Sequence, residues 1–453
     1  MARRWGRAVL IIVLGALAAA AGAFWAWRTW LVPRFEAAGI AIDPQARVDP
    51  QRQYELVVWE EAIVVPWAEA DHRSVLDEAV AAFTERRPNV RVSYSLLDPL
   101  QARDQLAAAV AAGRPPDVYG TAAGLILHPS HQIPAEPYFP GTGRGELPPF
   151  LPAATGGLTR DGIVWAWPRA LWWSVWLADP ELLARGGVDV DAVLVRGWTW
   201  DDVLQLAERL REAVADPLVL DAASVPTLAE LVLNAGAPVP PHPPEGVAGL
   251  QEALVRVARW LQTLREHGAV PGDPATASRT RLERLITGRT ALIGPVGPHL
   301  AQAVLRRRPG RFLLVPIPHH PAAPETAPAV PSGYLVFRQD AYQGDDHTRL
   351  AMELASWLAA RTETWLAETL GLLPARPATL HAWHDLAPLD ARSKQFLAEY
   401  VLHAGSGAGA AFAAESLWDR AAPQWAAFWT DSPVPEEWAA AVVRDLLEGG
   451  PAP

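Results

Sequence analysis

A chain of 453 residues, half of them hydrophobic and 20% charged, has the composition of a folded protein but is too long for one compact core, so two lobes or domains are expected. The net charge of −11, with 39 Lys and Arg spread along the chain, excludes the concentrated positive charge that nucleic-acid binding needs. The absence of cysteine excludes disulfides, thiolate metal sites, cysteine nucleophiles and a lipid-bearing cysteine.

The N-terminus carries Arg3, Arg4 and Arg7, then the uncharged run Ala8 to Trp27, then Arg28. At 1.5 Å rise per residue this run reaches roughly 30 Å, the thickness of a bilayer core. Residues 1–30 are expected to be a transmembrane anchor with its N-terminus in the cytoplasm, Phe24, Trp25, Trp27 and Trp30 forming an interfacial belt. The alternative is a cleaved signal peptide, for which Ala21-Gly22-Ala23 supplies a small-x-small site. Residues 31–52 lack sustained periodicity and read as a spacer.

The apolar run Tyr54 to Trp59 predicts a buried strand. A helix follows from Ser74, with Asp77 as its capping partner, and Pro88 stops it. Val90, Val92 and Tyr94 alternate as a strand, and "QARDQLAAAVAAG" predicts a second helix closed by Gly113. "PPDVYG" supplies the next strand. This alternation predicts a parallel sheet with helices on both faces and ligands at the carboxyl ends of its strands. Glu60 and Glu61 lie at that edge as acceptors for ligand hydroxyls, Trp67 lies in the loop after them, and Tyr119 and Thr121 occupy the matching edge of the third strand.

"WAWPRALWWSVW", Trp165 to Trp176, holds five indoles in twelve residues. In an extended chain neighbours face opposite ways, so Trp165 and Trp167 share one side while Trp172 and Trp173 split between two. Arg169, in the same stretch, offers a planar fork for a hydroxyl or carboxylate, or for pairing with an acid of the protein. Further on, Thr199 and Asp202 form a capping pair for a helix striped with Val203, Leu206, Ala207 and Leu210. Breaks rich in Pro and Gly follow at 238–246 and 316–331.

Taken together and in order, "ELVVWEE", "VLDEAVAAFTERRPNVRVSY", "AAAVAAGRPPDVYG", "DGIVWAWPRALWWSVWLADPELLARGGVD", "GWTWDDVLQLAERL", "GRTALIGPVGPHL", "VPSGYLVF" and "GLLPARPATL" resemble the extracellular solute-binding proteins of the sugar type, the receptors of ABC importers. The resemblance runs from about Tyr54 to the C-terminus. It implies a periplasmic-binding-protein-like (class II) α/β fold of two lobes joined by crossovers, placed near Trp165 to Pro168, near Val315 and Pro316, and around Trp365. The lobes would be 53–167 with 316–365, and 168–315 with 366–453. It also implies a ligand-contacting side chain at Trp172, backbone approach at Ser332 and Gly333, and a C-terminal stacking ring at Trp418. The family's Gly-Pro-Trp is Gly294-Pro295-Val296 here, so Gly294 is retained and a stacking ring is missing.

The implied function is that of a monomeric, extracytoplasmic receptor that binds a carbohydrate reversibly and delivers it to ABC permease subunits, without cofactor or metal. Two other classes stay open. Glu60, Glu61, Asp117 and Asp161 could supply the paired carboxylates of a glycoside hydrolase, and a tethered sugar sensor could keep the fold without transport. No Gly-Lys-Ser/Thr phosphate loop occurs, and His128, His131, His319 and His320 lack acids at metal spacing.

Overall fold

The computed structural model describes residues 35–37, 40–122, 124, 128, 130–140, 150–237, 245–404 and 418–448. The expected anchor, residues 1–30, lies outside them. Among the described residues no helix is long and apolar enough to cross a membrane.

Over its described residues, 35–37 and 40–52, the expected spacer is built into the fold. Phe35–Ala37 pairs antiparallel with Ile40–Ile42, and Ile42 is buried in the first lobe's core. The Pro44 carbonyl accepts from Arg349 Nη1 at 2.7 Å, and Asn89 Nδ2 donates to the Asp49 carbonyl at 3.2 Å. The pairing segments are three residues long, too short for a period-2 pattern to register in sequence.

The first lobe carries a sheet whose strand order is Leu373–Pro374, Ala166–Trp173, Ala329–Phe337, Val118–Thr121, Tyr54–Glu61, Val90–Leu97. Tyr54–Glu61 runs parallel to both of its neighbours. The sheet is nonetheless mixed and not parallel throughout, because Ala329–Phe337 runs antiparallel to Val118–Thr121 and to Ala166–Trp173. Both added strands connect to the second lobe, so neither is bound by the right-handed crossover that keeps successive strands parallel within one lobe. The helix His72–Arg86 is capped by Asp71, whose carboxylate accepts from Ser74 N at 2.8 Å. Ser74 therefore stands inside the first turn. Leu76, Ala79 and Phe83 form the helix's buried stripe, and the helix packs on the long helix Asp345–Leu370.

The second lobe's sheet is ordered Leu218–Leu220, Leu292–Val296, Val175–Ala178, Leu313–Val315. Thr199 and Asp202 form a complete capping box at the helix Trp200–Leu210. The helix Pro435–Glu448 packs on Glu245–Glu266. The chain has 21 tryptophans against 10 phenylalanines and 7 tyrosines, and Trp176, Trp198, Trp200, Trp260, Trp418, Trp425 and Trp438 all lie in this lobe's core.

All three crossovers fall later in sequence than the expected boundaries; the one expected at Val315 and Pro316 comes after Thr326, because Ile317 lies in the second lobe's core and the backbone N–H groups of His319, His320 and Thr326 bond to Trp198 and Asn234 of that lobe. The strand beginning at Ala166 stays in the first sheet through Trp173, and the chain changes sheets at Ser174. Trp365 is not a crossover, since it is buried inside the helix Asp345–Leu370 with its ring stacked on His72. Leu373–Pro374 then still pairs with the first sheet, and the chain leaves only after the helix Pro377–Leu386. The next helix, Ala391–Ala404, packs on Leu313–Val315. Helical period ends visibly at the Gly371 break, but a helix end does not reveal which lobe the next strand joins.

Candidate functional site

At Ser174 one residue separates a strand of the first sheet from a strand of the second, so the side chains just before it stand at the mouth of the inter-lobe cleft. Trp172, half-buried, and Trp173, buried, line a cavity of about 290 Å³ there. The second lobe closes it with Asp221, which follows the strand Leu218–Leu220, with Glu230 on the helix Val225–Asn234, and with Arg281 on the helix Pro274–Ile286. Pro295 and Pro298 complete the apolar part of that wall.

The polar wall is internally paired except at a few atoms. Arg281 Nη2 lies 2.8 Å from Asp221 Oδ2, and Ser278 Oγ donates to the same carboxylate. Glu230 is 4% exposed and its Oε2 has no partner. Burial pushes its carboxyl up to about 8, with the Asp221 charge adding to the effect and a hydrogen bond from Ser174 opposing it, so it is protonated at neutral pH. The indole N–H of Trp172 and Arg281 Nε are also unpartnered. Flat indole faces beside a rim that both donates and accepts hydrogen bonds suit a molecule with apolar C–H faces and a hydroxyl edge.

Trp172 is covered from across the cleft. His299, in the first turn of the helix Pro298–Arg307 of the second lobe, stacks on it with centroids 5.6 Å apart and planes 17° from parallel. The same imidazole meets Trp67 edge-on at 6.3 Å, and its Nε2 donates to the Val64 carbonyl at 3.1 Å. Burial lowers the His299 pKa. Trp67 is fixed by its own N–H, which donates to the Thr369 carbonyl, and Arg306 lies over its ring.

Most other expected site residues are turned into the first lobe. Glu60 is fully buried, with Arg169 Nη1 2.5 Å and His72 Nε2 3.2 Å from its Oε1. Burial alone would raise its pKa, but Arg169 and then His72 hold the carboxylate low. Arg169 is equally buried and also donates to the Thr121 carbonyl; it pairs with an acid inside one lobe and not across a hinge. Glu61 accepts from the Tyr119 hydroxyl and the Ala122 N–H, both at 2.7 Å, so Glu61 and Tyr119 satisfy each other and Thr121 is buried beside them. These residues do sit at a strand edge, yet helices and loops cover it.

Ser332 is buried, its hydroxyl donating to the Ala170 carbonyl. A Cβ on Gly333 would come 2.5 Å from the Trp167 carbonyl, and one on Gly294 would come 2.4 Å from the Trp176 ring. Both glycines therefore serve close packing between strands. Trp418 is buried in the second lobe's core and not in the cleft; its position in an amphipathic stretch fits core packing as well as display. Trp173 lines the cavity while its N–H donates to the Gly371 carbonyl. The hydrolase alternative finds no facing pair among its four acids. Glu60 and Glu61 are engaged as described, Asp117 accepts from Val57 N and Gln339 Nε2, and Asp161 is exposed on a hairpin.

Sequence reading missed Asp221, Glu230, Arg281 and His299. Asp221 follows a strand's carboxyl end, the rule that selected Glu60. Glu230 is the lone acid in the apolar run "LAELVL", a pattern that marks a buried carboxyl. His299 belongs to "GPVGPHL", the segment whose stacking ring was judged missing.

A model of the family described as bacterial extracellular solute-binding protein covers residues 69–239. The chain matches this family. That stretch takes in the first lobe's early elements, the crossover at Ser174 and the second lobe's Asp221 and Glu230. Among solved structures, the sugar-binding protein MalE of Xanthomonas citri is 17% identical with a TM-score of 0.63, covering 87% of this chain and 98% of its own. The GacH receptor of Streptomyces glaucescens, solved unliganded and with acarbose, is 17% identical with a TM-score of 0.60, covering 88% and 100%. The maltose-bound MalE3 of T. maritima gives 17%, 0.60, 87% and 99%. At these identities the likeness is one of fold, and it extends over nearly the whole of each neighbour. No curated protein matches by sequence.

Proposed function

We propose that the chain is the extracytoplasmic solute receptor of an ABC importer, binding a carbohydrate reversibly between its lobes and handing it, chemically unchanged and without a cofactor, to membrane permease subunits. One observation carries this reading: the cavity at the Ser174 crossover sets the indoles of Trp172 and Trp173 beside Asp221, Glu230 and Arg281, so that apolar faces and hydrogen-bonding groups converge from both lobes. The match to the solute-binding family and the fold shared with sugar-binding receptors support it. The run Ala8 to Trp27 would hold a monomer at the outer face of the membrane, or release it if cleaved.

A thermal-shift screen over mono- and oligosaccharides tests the reading, because a ligand that binds only the folded state raises the midpoint. Stabilisation by a sugar that is recovered intact is the expected result. Silence across the panel, or turnover of any glycoside, overturns it.

A further inference from the structure

The stack of His299 on Trp172 joins two residues of opposite lobes, and it occupies a face of the half-buried indole that lines the cleft. Stacked rings stand roughly 4.5 to 7 Å apart, so the observed 5.6 Å leaves no room for a third ring between them. A ligand ring reaches this face of Trp172 only by displacing the imidazole. His299 is held there on three sides. Trp172 lies beneath it, Trp67 meets it edge-on, and the Val64 carbonyl accepts its Nε2–H. Its direction is set by the helix start, where Gly297 is the cap and Pro298 the first helical residue.

We infer that His299 is a built-in occupant of the aromatic subsite, an imidazole standing where a ligand ring stacks on Trp172, so that binding is an exchange of one ring for another. This rests on the sugar-site reading of the cleft. It makes His299 a residue that sets affinity by competition: the apparent dissociation constant is the intrinsic one divided by the fraction of molecules whose Trp172 is uncovered. It also couples the ligand to lobe position. The imidazole can leave Trp172 only by breaking its bond to Val64, which joins the helix Pro298–Arg307 of the second lobe to a loop of the first.

The absence of cysteine allows a direct test. Leu100→Cys in the first lobe and Val195→Cys in the second, 91% and 81% exposed, take a pair of spin labels whose separation reports lobe opening. In that background His299→Ala and His299→Phe are compared with the parent by calorimetry with maltotriose, xylotriose and chitotriose, and by the label distance without sugar. The expected result is that His299→Ala binds at least one trisaccharide about tenfold more tightly than the parent, as a subsite uncovered in roughly one molecule in ten would require, and shifts the label distances longer. His299→Phe, which keeps a ring on Trp172, stays within about threefold of the parent. Weaker binding by His299→Ala would show that the imidazole holds the ligand and does not compete with it, and would overturn the inference. Unchanged affinity with unchanged distance would overturn it as well. If no trisaccharide binds any version, the sugar reading fails by itself and the label distance decides: lengthening in His299→Ala supports the inter-lobe occupant, and no change overturns it.

Discussion

The imidazole of His299 and the indole of Trp172 are stacked although Trp172 lies on a strand of the first sheet and His299 on a helix that connects two strands of the second. Stacking of this kind adds about 0.5–1.5 kcal/mol beyond area burial, a modest amount for a contact between lobes. On the reading proposed above, a contact of that size would hold the lobes together at rest and still yield to a ligand.

Trp172→Ala should weaken binding of a stabilising sugar by about 1–3 kcal/mol while leaving the fold intact, because the ring is only half-buried and lies on the cleft. Titration calorimetry, with a melting scan on the same sample, measures both. Full affinity in a folded variant would return Trp172 to a packing role.

Trp176, four residues on, is 1% exposed and meets Trp198 edge-on within the second lobe's core. Trp176→Ala should lower unfolding free energy by about 3–5 kcal/mol as a core truncation. Urea midpoints of parent and variant decide this, and a loss below about 1 kcal/mol would contradict the burial argument.

Arg169→Leu should cost about 3–5 kcal/mol, since it strands the Glu60 carboxylate in a site closed to water. Adding Glu60→Gln should recover part of that loss. Chemical unfolding of the single and double variants forms the test; a double variant no more stable than Arg169→Leu alone would show that charge compensation is not what the pair supplies.

Glu230 gives a pH dependence of defined sign. An unfolded glutamate titrates near 4.3, whereas burial pushes the folded carboxyl up to about 8. Between those values the folded state keeps a proton that the unfolded state has lost, so this group's contribution falls as pH rises through the window and levels off above 8. Glu230→Gln removes that slope. Relative to the parent, the variant should gain stability between pH 5 and pH 8, read from urea midpoints at both; parallel curves for the two proteins would refute the assignment.

What was legible in sequence was local and periodic. The strand at Tyr54, the capping box of Thr199 and Asp202, and the helix stopped by Pro88 are set by near neighbours, and their patterns survive in a linear reading. Side-chain partners set by the tertiary fold were not legible. Glu60 and Glu61 carry the right chemistry at the right strand edge, but Arg169 and Tyr119 reach them from strands far away in sequence. Single residues of a short helix, such as Glu230 and His299, become part of a site only when the second sheet places them opposite Trp172.

The segment ahead of the first long strand has a mechanical consequence. Residues 42–52 are stitched to the first lobe: Ile42 enters its core, Arg349 grips Pro44, and Arg52 pairs with Asp346. A label or tether attached ahead of residue 42 would therefore share a reference frame with the first lobe. In that frame any change in lobe separation would be carried by the second lobe, residues 175–326, 391–404 and 418–448 among those described.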